Sequence, residues 1–269
     1  LINKGVSQRV IQKLVATLLQ LKEAEFSETL PQYLLNHFKF ISKKEALHQV
    51  HYPSTQNLLS RAQMRLKFEE FFYMQLQLIL KNRQRKQKIK GYVFPEVGSV
   101  FKDFFDNHLP FTLTEAQKRV VKEIRNDLGT GRQMNRLLQG DVGSGKTIVA
   151  LLAMLIAIDN GFQSTLVAPT EILAQQHYQS LDALLKGTGV QCALLTGSST
   201  KKERVVLHEA LESGELSILV GTHAVFEEKV QFQNLGIAII DEQHRFGVAQ
   251  RAKLWQKNDI PPHVLVMTD

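Results

Sequence analysis

Hydrophobic positions recur along this chain in two rhythms. Through residues 1–95 the rhythm is helical. In VSQRVIQKLVATLLQL (6–21), Val10, Ile11, Leu14, Val15, Leu18 and Leu19 share one helical face. No proline or glycine interrupts the chain between Pro53 and Gly91. There Met64, Phe68, Phe71, Phe72, Leu76 and Ile79 recur at helical steps. This spacing predicts one long amphipathic helix running into Gly91, with the aromatic stripe turned to a core.

From Gly91 the rhythm changes. GYVFPEVGSVFKDFFDNHLPF (91–111), with its prolines and aromatics, reads as a connector that packs against something. Beyond it come short apolar runs: RLLQ (136–139), STLVA (164–168), VQCALL (190–195), LSILV (216–220), LGIAII (235–240) and HVLVM (263–267). Helical stretches such as Thr170–Leu185 and Lys201–Ser213 lie between them. Apolar strands alternating with helices predict an α/β fold, a parallel sheet with helices on both faces. We therefore expect an all-helical segment over 1–95 and an α/β domain over 96–269. The longest unbroken apolar run, IVALLAMLIAI (148–158), is well short of the ~18–20 residues that cross a bilayer. It predicts a helix buried in a soluble protein, and no membrane partner.

Composition changes this picture little. With 269 residues, 43% hydrophobic and 22% charged, the chain can bury a sizeable core without staples. Its single cysteine, Cys192, excludes an intrachain disulfide framework and reads as a small buried hydrophobe. No signal peptide is visible, so a cytoplasmic location is expected. The chain opens on Leu1 without an initiator methionine, which predicts a fragment. Nothing resembles a coiled-coil seam, and a monomer is expected. Net charge is +7, and the basic residues cluster: KNRQRKQKIK (81–90) carries six of them. Such a run serves either a solvated helix end or contact with a polyanion.

The sharpest chemical signal is GDVGSGKT, Gly140–Thr147, which matches G-x-x-x-x-G-K-[ST] between a predicted strand and a predicted helix. The glycines Gly140, Gly143 and Gly145 let backbone N–H groups converge on phosphate oxygens. Asp141, Val142 and Ser144 complete the cradle. Lys146 supplies charge for the β- and γ-phosphates, and Thr147 a hydroxyl for Mg²⁺. The helix N-terminus adds its partial positive charge. A P-loop also needs an acidic element from a neighbouring strand end. AIIDE (238–242) offers Asp241 to bind Mg²⁺ and Glu242 to polarise the attacking water. Gln243 and His244 complete DEQH, placed to couple nucleotide state to another surface.

GDVGSGKT, APTEILAQQH (168–177), VGTHAVF (220–226) and DEQHRFGVAQR (241–251) occur in this order. Together they resemble the first motor domain of superfamily 2 helicases, in a variant similar to the RecG family of bacterial ATP-dependent DNA helicases. FTLTEAQKRVV (111–121) resembles the glutamine motif that precedes the P-loop in this group. The motifs carry the resemblance over 93–269. It extends more loosely to 1–92, where LKFEEFFYMQLQL looks like the helical segment between a DNA-binding wedge and the motor.

The resemblance implies a RecA-like P-loop fold, ATP and Mg²⁺ as cofactors, and catalytic roles for Lys146, Asp241, Glu242, Gln243 and His244. It implies that Gln117 reads the adenine edge with Phe111 beside it. Pro169, Thr170 and Glu171, then Gly221, Thr222 and His223, would hold a DNA backbone at strand ends. Thr170 also reads as an ordinary helix N-cap. Arg245, Phe246, Gln250 and Arg251 would carry ATP state to DNA. The implied partners are branched and duplex DNA, and the second motor and wedge domains of a longer chain. VLVMTD stops where the family continues with a TAT-like motif. With the nucleotide cleft completed by that second domain, these residues alone are expected to bind ATP and hydrolyse it slowly. Three alternatives stay open: a transcription–repair coupling translocase, which typically has a glutamate where Gln243 stands; a P-loop small-molecule phosphotransferase; and a non-enzymatic ATP-responsive DNA-binding module.

Overall fold

Each of the six short apolar runs contributes a strand in the computed structural model, which describes residues 8–20, 26–242 and 260–268. The strands are β1 (Asn135–Gln139), β2 (Gln163–Val167), β3 (Cys192–Leu195), β4 (Ile218–Gly221), β5 (Leu235–Asp241) and β6 (His263–Thr268). All pair in parallel, in the order β1-β6-β5-β2-β4-β3. The intervening helices are α6 (Glu115–Leu128), α7 (Lys146–Asp159), α8 (Glu171–Leu185) and α9 (Lys201–Ser213).

Strand alternation divides the side chains between two apolar cores. Ile218, Val220, Ile237, Ile239, Leu265 and Met267 point to one face, where α7 lies. Leu219, Ala238, Ile240, Val264 and Val266 point to the other, with Leu207 and Leu211 of α9. Both faces are covered, so these strands read as unbroken apolar runs. Residues 148–157 of α7 are all buried, because sheet lies on one side and α6 and the connector on the other. Among the described residues no helix is long and apolar enough to cross a membrane.

The connector 91–111 packs through specific polar bonds. The Asp159 carboxylate, at the end of α7, accepts from the backbone N–H groups of Gly98 (2.9 Å), Val100 (3.0 Å) and Phe101 (3.1 Å). It thereby closes the start of α5 (Ser99–Asp103), which runs on into a π-helical turn, Phe104–His108. A second clip is the fully buried His263, whose Nδ1 accepts from Met134 N–H (2.9 Å) while Nε2 bonds the Tyr92 carbonyl (3.0 Å). Cys192 packs beside the first core, and burial pushes its thiol up to about 12, in keeping with a hydrophobe rather than a nucleophile.

The chain divides into two compact units, Leu1–Gln84 and Arg85–Asp269. In the first, α1 (Gln8–Gln20), α2 (Gln32–Phe38) and α3 (Lys43–His51) precede α4 (Gln56–Lys88), which continues past the division. The apolar core is small: Ile41, Ala46 and Ala62, with Val50 and Leu66 against it. Arg65 is fully buried and pairs with Glu28 and with Glu69 (2.6 Å). Burial alone would raise the Glu28 carboxyl, but the N–H groups of Leu30 and Lys43 and the Arg65 charge outweigh it and hold it low.

The aromatic stripe of α4 corrects the expectation from periodicity. Phe68 does pack, against Phe38 (5.0 Å) and Phe40 (4.9 Å). Met64, Phe71 and Ile79, however, are 57%, 60% and 61% exposed. The reason is length: a helix of 33 residues spans about 50 Å, and among the described residues the other helices of this unit, of 13, 7 and 9 residues, leave these side chains uncovered. In the basic run, Lys81, Arg83 and Lys90 are exposed; the side chains of 85–88 lie outside the described ones.

Candidate active site

Strand register brings the candidate residues to one edge of the sheet. Gln139 of β1 lies beside Thr268 of β6, and Asp241 of β5 beside Met267. Val167 and Leu195 both lie beside Gly221. All six strands therefore end at a common C-terminal edge, where ligands of open parallel sheets bind.

Gly140 leaves β1 with its N–H on the Thr268 carbonyl (3.3 Å), and Ser144 N–H closes a turn on Asp141 O (3.0 Å). Gly143 and Gly145 take left-handed φ values of +79° and +82°, which side chains disfavour. The loop then opens directly into α7, where the Gly145 carbonyl accepts from the N–H groups of Ile148 (3.1 Å) and Val149 (3.4 Å), and a helix N-terminus is placed to meet an anion. Lys146 Nζ donates to the carbonyls of Gly140 and Asp141 (3.0 Å to the latter).

Gln117 braces this loop. Its Oε1 accepts from Thr114 N–H (2.9 Å), its backbone N–H reaches Thr114 Oγ1 (3.2 Å), and its Nε2 donates to Ser144 O (2.9 Å). A capping box at the start of α6 is thus tied to the phosphate cradle. The Nε2 group keeps a second hydrogen. Phe111 is 49% exposed.

Asp241 ends β5, two strand spacings, or about 10 Å, from the end of β1. Its Oδ2 lies 2.8 Å from His177 Nε2, and both side chains are largely buried. Glu242 N–H continues the ladder to Met267 O (3.0 Å), but Glu242 itself turns to a left-handed φ of +53°. For a residue with a Cβ that costs roughly 1–2 kcal/mol, a strain of the kind found where a side chain is aimed at a ligand. Gln243, His244, Arg245, Phe246, Gln250 and Arg251 lie outside the described residues.

The expected DNA contacts divide. Thr170 is exposed and caps α8, accepting from Leu173 N–H (3.3 Å). Pro169 precedes it, half-buried. The Glu171 carboxylate is already engaged, by Ser198 N–H (3.2 Å) and Ser198 Oγ (2.9 Å). Gly221 and Thr222 are buried; Thr222 is 1% exposed, with an Oγ1 that has no hydrogen-bond partner among the described residues. His223 is exposed. The loop 196–200 belongs with this group: Arg204 holds the carbonyls of Thr196 (2.8 Å) and Ser199 (3.2 Å).

Sequence reasoning missed His177, although a signal was present. Ala174, Leu181 and Leu185 form the buried stripe of α8, and His177 falls on it, a polar residue on an apolar face.

A family model described as DEAD/DEAH box helicase matches residues 114–268, from the cap of α6 to the end of β6. The chain belongs to the DEAD/DEAH box helicase family. Among curated helicases, it is 45% identical over 267 residues to the ATP-dependent DNA helicase RecG of Synechocystis sp., covering 99% of this chain and 32% of that protein. It is 42% identical over 270 residues to RecG of Streptococcus pneumoniae, covering 98% and 39%. The chain thus spans about a third of the length of these relatives. A solved structure of RecG bound to a three-way DNA junction matches with a TM-score of 0.76 at 39% identity, covering 98% of this chain and 35% of that one. The helicase MrfA, 19% identical with a TM-score of 0.51, shares the fold.

Proposed function

We propose that these residues form the first motor domain, with its preceding helical segment, of a RecG-type ATP-dependent DNA helicase acting on branched and duplex DNA. The observation that carries the reading is one sheet edge with two neighbourhoods. The phosphate cradle and Asp241 lie toward β1, and the strand-end loops 168–171, 196–200 and 222–226, which expose Thr170, Ser198 and His223 among others, lie toward β3.

The cradle fits a nucleotide: left-handed glycines and the start of a helix turn backbone N–H groups toward phosphate, and Lys146 adds charge. Thr147 and Asp241 would hold Mg²⁺. Among the described residues no group of three His, Cys, Asp or Glu side chains forms a metal site. A cation carried by nucleotide phosphates needs only one or two protein oxygens besides waters. Mg-ATP supplies the transferable phosphoryl group. Gln117, anchored at Thr114 and Ser144, offers its remaining hydrogen to the adenine edge, and Glu242 orients the attacking water. Pro169, Thr170 and His223 would meet the DNA backbone through phosphate contacts, so gripping is independent of sequence and sensitive to salt. Glu171 and Thr222 support those loops from within.

The test is nucleotide binding and ATPase activity with branched, duplex and single-stranded DNA, for the chain and for Lys146→Ala. Mg-ATP binding lost in the variant, with turnover raised by DNA, supports the reading. Phosphorylation of a small metabolite overturns it in favour of a phosphotransferase. DNA binding that responds to nucleotide without any turnover, even with the rest of the helicase present, favours a non-enzymatic module.

A further inference from the structure

We propose that His177 is a positioning residue for the nucleotide-bound metal: it fixes the Asp241 carboxylate from the buried face of α8. The inference rests on the reading of Asp241 as a Mg²⁺ ligand.

The backbone alone underdetermines Asp241. Its Cα is held by the β5–β6 ladder, and Glu242 N–H on Met267 O fixes the next peptide. Neither bond restrains the carboxylate, which still turns about two side-chain torsions. His177 supplies the missing restraint, 2.8 Å away, and each side chain retains little exposure, 16% for His177 and 13% for Asp241. An ionised carboxylate only accepts, so Nε2 carries the hydrogen in this pair. One carboxylate oxygen is thereby engaged, and among the described residues the other has no protein partner, leaving it to a ligand.

The position of His177 argues against incidental contact. It sits on the α8 stripe with Ala174, Leu181 and Leu185, where a hydrophobe would bury more cheaply than an imidazole. Partners of metal-binding groups typically change metal affinity or activity by 10–100-fold when removed, because they set ligand orientation. Since His177 touches neither the cradle nor a phosphate in this reading, its loss acts on metal dependence rather than on nucleotide binding as such.

The experiment titrates binding of a fluorescent ATP analogue against Mg²⁺, with metal-free binding measured in parallel, for the chain, His177→Ala and His177→Gln. The Gln amide places a donor near the Nε2 position. We expect His177→Ala to raise the Mg²⁺ half-saturation about 10–100-fold with metal-free affinity unchanged, and His177→Gln to recover most of it. An unchanged Mg²⁺ midpoint in His177→Ala overturns the inference. So does an equal loss of metal-free binding, which marks a folding effect, or a Gln variant no better than Ala. If the unsubstituted chain shows no Mg²⁺-dependent binding, the reading of Asp241 itself falls, and this inference with it.

Discussion

The most exacting test of the fold is the response of His263 to acid. The ring is fully buried and both nitrogens are committed: Nδ1 accepts from Met134 N–H and Nε2 donates to Tyr92 O. Burial lowers its pKa from 6.5 to about 4, against the opposing pull of the Tyr92 carbonyl and the Asp127 charge. Protonation would place a second donor against the Met134 N–H. The unfolded chain takes up the proton near pH 6.5 and the folded chain only near pH 4. Between those values the unfolded state binds more protons, so stability falls as pH falls. A shift of this size corresponds to about 3 kcal/mol, fully present above pH 6.5 and lost by pH 4. Urea denaturation followed by circular dichroism from pH 8 to pH 4 measures it, with His263→Asn as reference. The variant is weaker at neutral pH, having lost one bond and some packing. Its deficit relative to the unsubstituted chain should shrink by about 3 kcal/mol at pH 4. Parallel pH profiles for the two proteins would refute the assignment of a buried neutral imidazole.

The remaining predictions concern other joints of the molecule. Gly143→Ala should cost only the left-handed backbone, roughly 1–2 kcal/mol, since an added Cβ meets nothing within 4 Å. Gly145→Ala should cost distinctly more in the same denaturation assay, because its Cβ would sit 2.4 Å from Gln117 Nε2; equal losses would sink the bracing role of Gln117. Asp159→Ala strands three connector N–H groups and should destabilise by at least about 1–3 kcal/mol. Asp159→Asn, which keeps one acceptor oxygen, should fall between it and the native residue in thermal unfolding. Arg65→Ala leaves Glu28 and Glu69 without their buried partner and should cost about 3–5 kcal/mol. Hydrogen exchange localised to α2–α4 would report it, and a loss under about 1 kcal/mol would show the pair to be solvent-screened.

The local parts of this protein were legible in its sequence. Strand positions followed from apolar runs, and α9 from the helical stretch Lys201–Ser213, because burial on both sheet faces and helical periodicity leave signatures within a few residues. The P-loop motif was readable for the same reason: its glycines, lysine and threonine are contiguous, so the cradle is encoded within eight residues.

What the sequence left undecided were pairings between segments far apart. His177 and Asp241 are 64 residues apart, and only the insertion of β5 and β6 between β1 and β2 brings them within hydrogen-bond range. The same holds for Glu171 with Ser198, and for Gln117 with Ser144, where the side chain braces the loop. The α4 stripe shows the converse. Periodicity determined that Met64, Phe71 and Ile79 share a helix with Phe68, but whether a face is covered depends on the neighbours the fold supplies. Spacing determines which residues share an element; the order and register of strands decide which of them meet.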